Sequence, residues 1–230
     1  MLVPMDRAPG WGPLRSLPTW LEMTIIVVIG FGAFIYSSTY YALDPSDAAA
    51  ASADDFLWLM LVEIAQGAFL ALFLWARGWT LPQLGFVSFG WRDLRHGAGL
   101  LVAVIALGWI AYYVAVAIRP ELELRNVDIE ENAAPLALAL AFSAINASYE
   151  ELFICAYIVA VWRGPDVWTA IALSSVLRLS YHLYQGPLAI VMIFPLGVLF
   201  AWYFASQRRL LPLVLAHAAL DLLAFFQESS

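Results

Sequence analysis

Seven apolar stretches of near-membrane length, broken by short polar segments, leave this chain little choice of architecture. They run at roughly Trp20 to Leu43, Phe56 to Ala76, Gly97 to Ile118, Pro135 to Trp162, Val167 to Tyr184, Pro187 to Ser206 and Leu210 to Phe226. A spanning helix needs about 20 predominantly apolar residues. The breaks have a physical origin. Asp44-Pro45, Arg119-Pro120, Gly164-Pro165 and Gly186-Pro187 each set a charge or a glycine beside a proline that cannot continue a helix. Composition agrees: 63% of the 230 residues are apolar and 13% charged, whereas a soluble domain holds about 45–50% and 25%. So much apolar surface calls for lipid as the solvent, and lipid admits only helices or closed barrels. The expectation is an all-α integral membrane protein, a bundle of about seven transmembrane helices.

Residues 1–19 read as a cytoplasmic N-terminal segment and 20–226 as one polytopic membrane domain. No short apolar run with a small-residue cleavage site precedes the first span, which is therefore expected to act as its own insertion signal. Leu81 to His96 mixes Phe86, Phe89 and Trp91 with Arg92 and Arg95 and is expected to lie along the interface as a short amphipathic piece. No repeat, linker or low-complexity tract is present. Loop charge sets the orientation. With the N-terminus cytoplasmic, the inner segments hold Arg7, Arg15, Arg77, Arg92, Arg95, Arg163, Arg208 and Arg209, and the outer ones hold only Arg119 and Arg125. The net charge of −7 comes mostly from two polar loops and implies no nucleic-acid partner. Cys155 is the one cysteine, so no intrachain disulfide forms. The aromatic residues are assigned to core and interface belts, and no cofactor is inferred from them.

An ionisable side chain at bilayer depth costs about 2.5–3.5 kcal/mol on insertion scales. Seven stand inside the apolar stretches: Glu63, Glu150, Glu151, Arg178, His182, His217 and Asp221. At ~1.5 Å per residue, Glu150, His182 and His217 fall in one middle layer. His217 and Asp221 share a helix face, as do Arg178 and His182, and Asn146 stands one turn before Glu150. Glu150 and Glu151 are adjacent and point about 100° apart, so they are expected to do different jobs. Glu63, with Gln66, reads as interhelical glue. Six groups on three neighbouring helices are poorly explained by packing and mark a functional site.

At these residues the chain resembles the CAAX-protease and bacteriocin-processing (CPBP, or Abi) family of intramembrane endopeptidases, which includes the type II CAAX prenyl endopeptidases. The family's Glu-Glu pair followed by Phe-Arg-Gly appears as Glu150-Glu151-Leu152-Phe153-Ile154-Cys155-Ala156, its Phe-x-x-x-His as Arg178-Leu179-Ser180-Tyr181-His182, and its His-x-x-x-Asn/Asp as His217-Ala218-Ala219-Leu220-Asp221. The flanking Leu183-Tyr184-Gln185-Gly186 and Arg209-Leu210-Leu211-Pro212, and upstream Leu84-Gly85-Phe86, share its texture. The likeness sits mainly in the last hundred residues and implies a protease-like core at about 135–226 in a multi-pass protein of the cell (plasma) membrane. It implies hydrolysis of membrane-associated protein or peptide substrates. Glu150 would be general base, with His182 and His217 about the water, Asp221 orienting His217, and Glu151 auxiliary. Arg178 and Asn146 would be supporting residues. Two departures stand out: Cys155 replaces the motif arginine, and Arg178 replaces the phenylalanine, so Arg178 is expected to pair with Glu151 in the missing arginine's stead. The expected partners are membrane lipid and the substrate. No cofactor is required in this reading; zinc on Glu150, His182 and His217 is the mechanistic alternative. A catalytically inactive membrane partner or bacteriocin-immunity protein, or a transporter, remains an alternative function.

Overall fold

The computed structural model describes residues 11–44, 52–125, 135–162, 164 and 166–227. Arg7, Pro45, Arg163 and Pro165, used above for orientation and for helix breaks, lie outside them. Seven helices carry the described chain: α1 Thr19–Leu43, α2 Ala53–Ala76, α3 Trp91–Ile118, α4 Leu136–Val161, α5 Val167–Ser180, α6 Gly186–Gln207 and α7 Leu211–Gln227. No strand occurs among the described residues. Five of the seven are long and apolar enough to cross a membrane; α5 and α7 are shorter apolar helices. The protein is a helical bundle with several candidate spans, as the apolar stretches require.

Packing follows a circuit: α1 against α2, α2 against α4, α4 against α7, α7 against α3, α3 against α6, and α6 against α5. The middle of α4 is the most enclosed part of the chain. Phe153 through Val159 are at most 1% exposed, and they split the core in two. One apolar cluster joins this segment to α1 and α2, through Ile26, Phe31 and Leu70; the other joins it to α3, α6 and α7, through Val104, Phe200 and Leu213. A helix apolar on all sides is a buried helix. Within α4 the backbone changes character: Leu136–Glu150 is α-helical, and Glu151–Tyr157 is a wider π-helical segment. Such insertions occur frequently at functional sites. This one begins at the Glu pair.

Two close approaches set the helix spacing around α4. A Cβ on Gly30 would stand 3.0 Å from the Tyr149 hydroxyl, which donates to the Gly30 carbonyl at 2.7 Å. A Cβ on Gly67 would meet the same ring at 3.3 Å. Glycines on α1 and α2 thus make the slot that holds Tyr149, one residue from the Glu pair.

Two expectations change. Leu81 to His96 is not one interfacial piece. A 3-10 turn covers Leu81–Leu84, and Trp91 to His96 form the first turns of α3. The Asp93 carboxylate starts that helix by accepting the Gly90 N–H at 2.9 Å, while Arg209 donates to the same carboxylate at 2.6 and 2.7 Å. The helix carrying Arg178 was expected to run to Tyr184 but stops at Ser180. Its last turn is closed by His182, whose Nδ1 lies 2.9 Å from the Arg178 carbonyl, so His182 stands just beyond the helix end.

Candidate active site

Each ionisable group that the motifs single out on α4, α5 and α7 converges on one place. Glu150 and Glu151 come from the point where α4 widens, Arg178 from the last turn of α5, and His217 and Asp221 from successive turns of α7. The Arg178 guanidinium lies between the two glutamates. Its Nη2 donates to Glu151 Oε1 at 2.6 Å and its Nη1 to Glu150 Oε2 at 3.1 Å. Adjacent residues on a helix diverge by about 100°, but a planar fork with separate nitrogens reaches both. The expected pairing of Arg178 with Glu151 is present, and it extends to Glu150. Cys155 is 1% exposed and lies in electrostatic range of Glu151 and Arg178. A guanidinium from α5 therefore stands near both Glu151 and Cys155.

The histidines have distinct attachments. His217 Nδ1 lies 2.7 Å from Glu151 Oε1; a carboxylate accepts, so the Nδ1–H donates. Its Nε2 turns towards Asp221 Oδ1 at 3.4 Å and Glu150 Oε2 at 4.0 Å. Asp221 Oδ2 accepts from Asn146 Nδ2 at 3.0 Å, which accounts for the polar position one turn before Glu150. Glu151, rather than Asp221, thus makes the shorter contact with His217, and Asp221 is held between α4 and α7. His182 Nδ1 faces a backbone carbonyl, which accepts only, so Nδ1 carries the hydrogen and Nε2 is left with its lone pair. Glu150 and His217 both lie in electrostatic range of that ring.

Exposure separates front from back. The Glu151 side chain is 0% exposed and Arg178 2%, against 9% for Glu150, 8% for His217 and 20% for Asp221. Glu151 and Arg178 form an inner charged layer; Glu150, His217 and Asp221 form the reachable one. Oε2 of Glu150 takes the Arg178 and Tyr181 donors, leaving Oε1 as the oxygen outside those bonds. The inner layer is tied to the apolar core by Phe200, whose ring centroid is 5.9 Å from the Arg178 guanidinium carbon and 6.4 Å from the His217 ring.

Two residues near the site, and one charged cluster away from it, were not legible in the sequence. Tyr181 donates to Glu150 Oε2 at 2.8 Å and packs its ring 5.2 Å from Phe31 of α1 and 4.6 Å from His182. Its place beside the motif histidine was the available signal. Glu63 of α2, read as glue, is 4% exposed and lies in electrostatic range of Glu150, Asp221 and His217. Glu22 was not counted among the intramembrane charges. It is 0% exposed and binds Arg77 at 2.5 Å, the Trp79 indole at 2.8 Å and the Tyr157 hydroxyl at 3.1 Å. This second charged cluster lies apart from the first and pins the start of α1 to the end of α2.

Among the described residues no three His, Cys, Asp or Glu side chains are disposed to hold a metal ion, and the Glu150 carboxylate already faces a guanidinium.

Residues 132–223 match the family described as type II CAAX prenyl endopeptidase Rce1-like. The matched stretch contains all three motifs and every residue of the α4, α5 and α7 cluster, and the family it resembles is one of proteases. Neither a curated protein nor a solved structure matches the chain.

Proposed function

We propose that this similarity reflects activity, and that the protein is an intramembrane endopeptidase hydrolysing peptide bonds of membrane-associated protein or peptide substrates in the cell membrane. The observation that carries the reading is the convergence of Glu150, His217, Asp221 and Asn146 on one reachable, nearly buried polar face, backed by a charged layer that no packing requirement explains. Peptide hydrolysis needs a base for water, an electrostatic match for the developing oxyanion, and an acid for the leaving amine. Glu150 is the base: Arg178 and Tyr181 hold its Oε2, and Oε1 takes a proton from water. His182, with Nε2 as acceptor, orients that water. The hydroxide oxygen bonds to the scissile carbonyl carbon, and the proton on Glu150 passes to the amine nitrogen as the C–N bond breaks. Asn146 keeps one amide hydrogen beyond its bond to Asp221 and can direct it at the oxyanion. Arg178 supplies positive charge from behind the site, and His217 stands beside Glu150 on the reachable face. The reaction as drawn uses side chains and water alone, and lipid and substrate are the partners it needs.

Cys155 favours a second reading, an inactive member acting as a membrane partner or immunity protein. The presence of Arg178 at the Glu pair argues against it, because the charge removed with the motif arginine is supplied from α5.

The test is Glu150→Gln, which keeps shape and removes the base. Membrane proteomes of cells carrying either form should differ by precursors that stay uncleaved with Glu150→Gln. Identical proteomes would sink the protease reading and leave the partner reading standing. If cleavage by purified protein is lost on chelation and restored by zinc, the metal-free mechanism is wrong.

A further inference from the structure

The carboxyl of α2 does not behave as a packing tie. A polar residue that holds two helices together bonds across their interface, as Gln66 does: its side-chain amide meets the Tyr149 hydroxyl of α4 at 3.1 Å. Glu63, one turn earlier, is 4% exposed, yet its Oε2 is buried with no hydrogen-bond partner among the described residues. Its surroundings are those of the candidate site. Glu150 of α4 and Asp221 and His217 of α7 lie in electrostatic range of the carboxyl, and so does Tyr149 of α4. Ser143 Oγ, two turns before Glu150 on α4, is likewise buried without a partner among the described residues, and residues seven apart share a helix face. A leucine would fill position 63 without the cost of a charge in hydrocarbon.

We propose that Glu63 is a further positioning residue of the reaction centre, supplied by α2 from outside the stretch that resembles the protease family. Its carboxyl acts on the Asp221–His217 pair and Glu150 through its field, setting their charge, so it governs the rate of the chemical step rather than substrate affinity. This inference rests on the endopeptidase reading above.

The experiment uses full-length protein in lipid nanodiscs with a quenched-fluorescence peptide library. Glu63→Gln and Glu63→Leu should lower kcat on the order of 10- to 100-fold with KM within about twofold of wild type, while Glu63→Leu melts no lower than wild type. Unchanged kcat in both variants, or a fall matching a loss of folded protein, overturns the proposal. A second measurement needs no turnover: infrared titration of the carboxyl C=O bands in the Glu150→Gln background. Adding Glu63→Gln should delete one band and move that of Asp221. If it deletes one band and moves no other, Glu63 is not part of the centre, whatever is cleaved. If the Asp221 band moves but the wild type cleaves no peptide, Glu63 belongs to the cluster and the endopeptidase reading is what fails.

Discussion

The Nδ1–H of His217 donates to Oε1 of Glu151 across 2.7 Å, and the same oxygen accepts Arg178 at 2.6 Å. A fully buried carboxylate between an imidazole and a guanidinium fixes the imidazole tautomer and ring orientation. Glu151→Gln keeps the shape and removes the charge. Its amide can donate to the imidazole, reversing the tautomer. The expected outcome is a kcat loss of at least about 100-fold with little change in KM; a variant with wild-type kcat would remove Glu151 from the mechanism.

Arg178 serves two carboxylates, so its replacement by Met takes the guanidinium from both and leaves Glu150 with Tyr181 and Glu151 with His217. Breaking a buried pair by removing one partner costs about 3–5 kcal/mol. Chemical denaturation in mixed micelles should show such a loss for Arg178→Met, and a double-mutant cycle with Glu151→Gln should show coupling of about 0.5–3 kcal/mol. Arg178→Lys should fold better than Arg178→Met yet stay impaired in catalysis, because one ammonium cannot reproduce the forked contact with Glu150 and Glu151. Additive effects would show that the 2.6 Å contact carries no energy.

Tyr181→Phe removes one hydroxyl and keeps the ring against Phe31 and His182. Glu150 Oε2 then keeps the Arg178 donor alone. A lost hydrogen bond to a charged group is worth about 1.5–3 kcal/mol, so kcat should fall about 10-fold or more while the thermal midpoint moves little. Equal falls in midpoint and activity would make Tyr181 a packing residue only.

The Glu22–Arg77 cluster is assigned to stability. Arg77 also donates to the carbonyls of Leu14 and Leu17, so Arg77→Ala takes the counter-charge from buried Glu22 and frees the segment before α1. The expected loss is about 3–5 kcal/mol, with specific activity per folded molecule unchanged. A selective loss of activity would place this cluster in the site.

Asp166 caps α5 by accepting the Thr169 N–H at 2.9 Å and its hydroxyl at 2.6 Å. These bonds hold the exposed Asp166 carboxyl below the ordinary aspartate range. A carboxyl whose folded pKa is lowered contributes stability in full above its unfolded value of about 3.9 and loses it as pH falls through the folded value. Asp166→Asn should therefore melt below wild type at neutral pH, and the gap should close in strong acid. A gap independent of pH would assign the cap to geometry instead of charge.

What could be read along the chain was what depends on the chain alone. Runs of apolar residues fixed the helices to within a few residues, since lipid leaves backbone polar groups no partner but the helix itself. The expense of charge in hydrocarbon marked Glu150, Glu151, Arg178, His182, His217 and Asp221 before any coordinates, and a spacing of four tied His217 to Asp221. Spacing reports which residues share a face; it does not report how that face is turned, or what meets it. That His217 bonds most closely to Glu151, that Arg178 forks to both glutamates, that Tyr181 reaches Glu150, and that Glu63 is buried within electrostatic range of Glu150, Asp221 and His217 were settled by the rotation and approach of neighbouring helices. These depend on features such as the glycine slot that seats Tyr149 and the widening of α4 at Glu151. One helix's periodicity holds no information about another's position, so the motif charges of the candidate site were legible in sequence, while Tyr181, the approach of Glu63 and the wiring required the packed bundle.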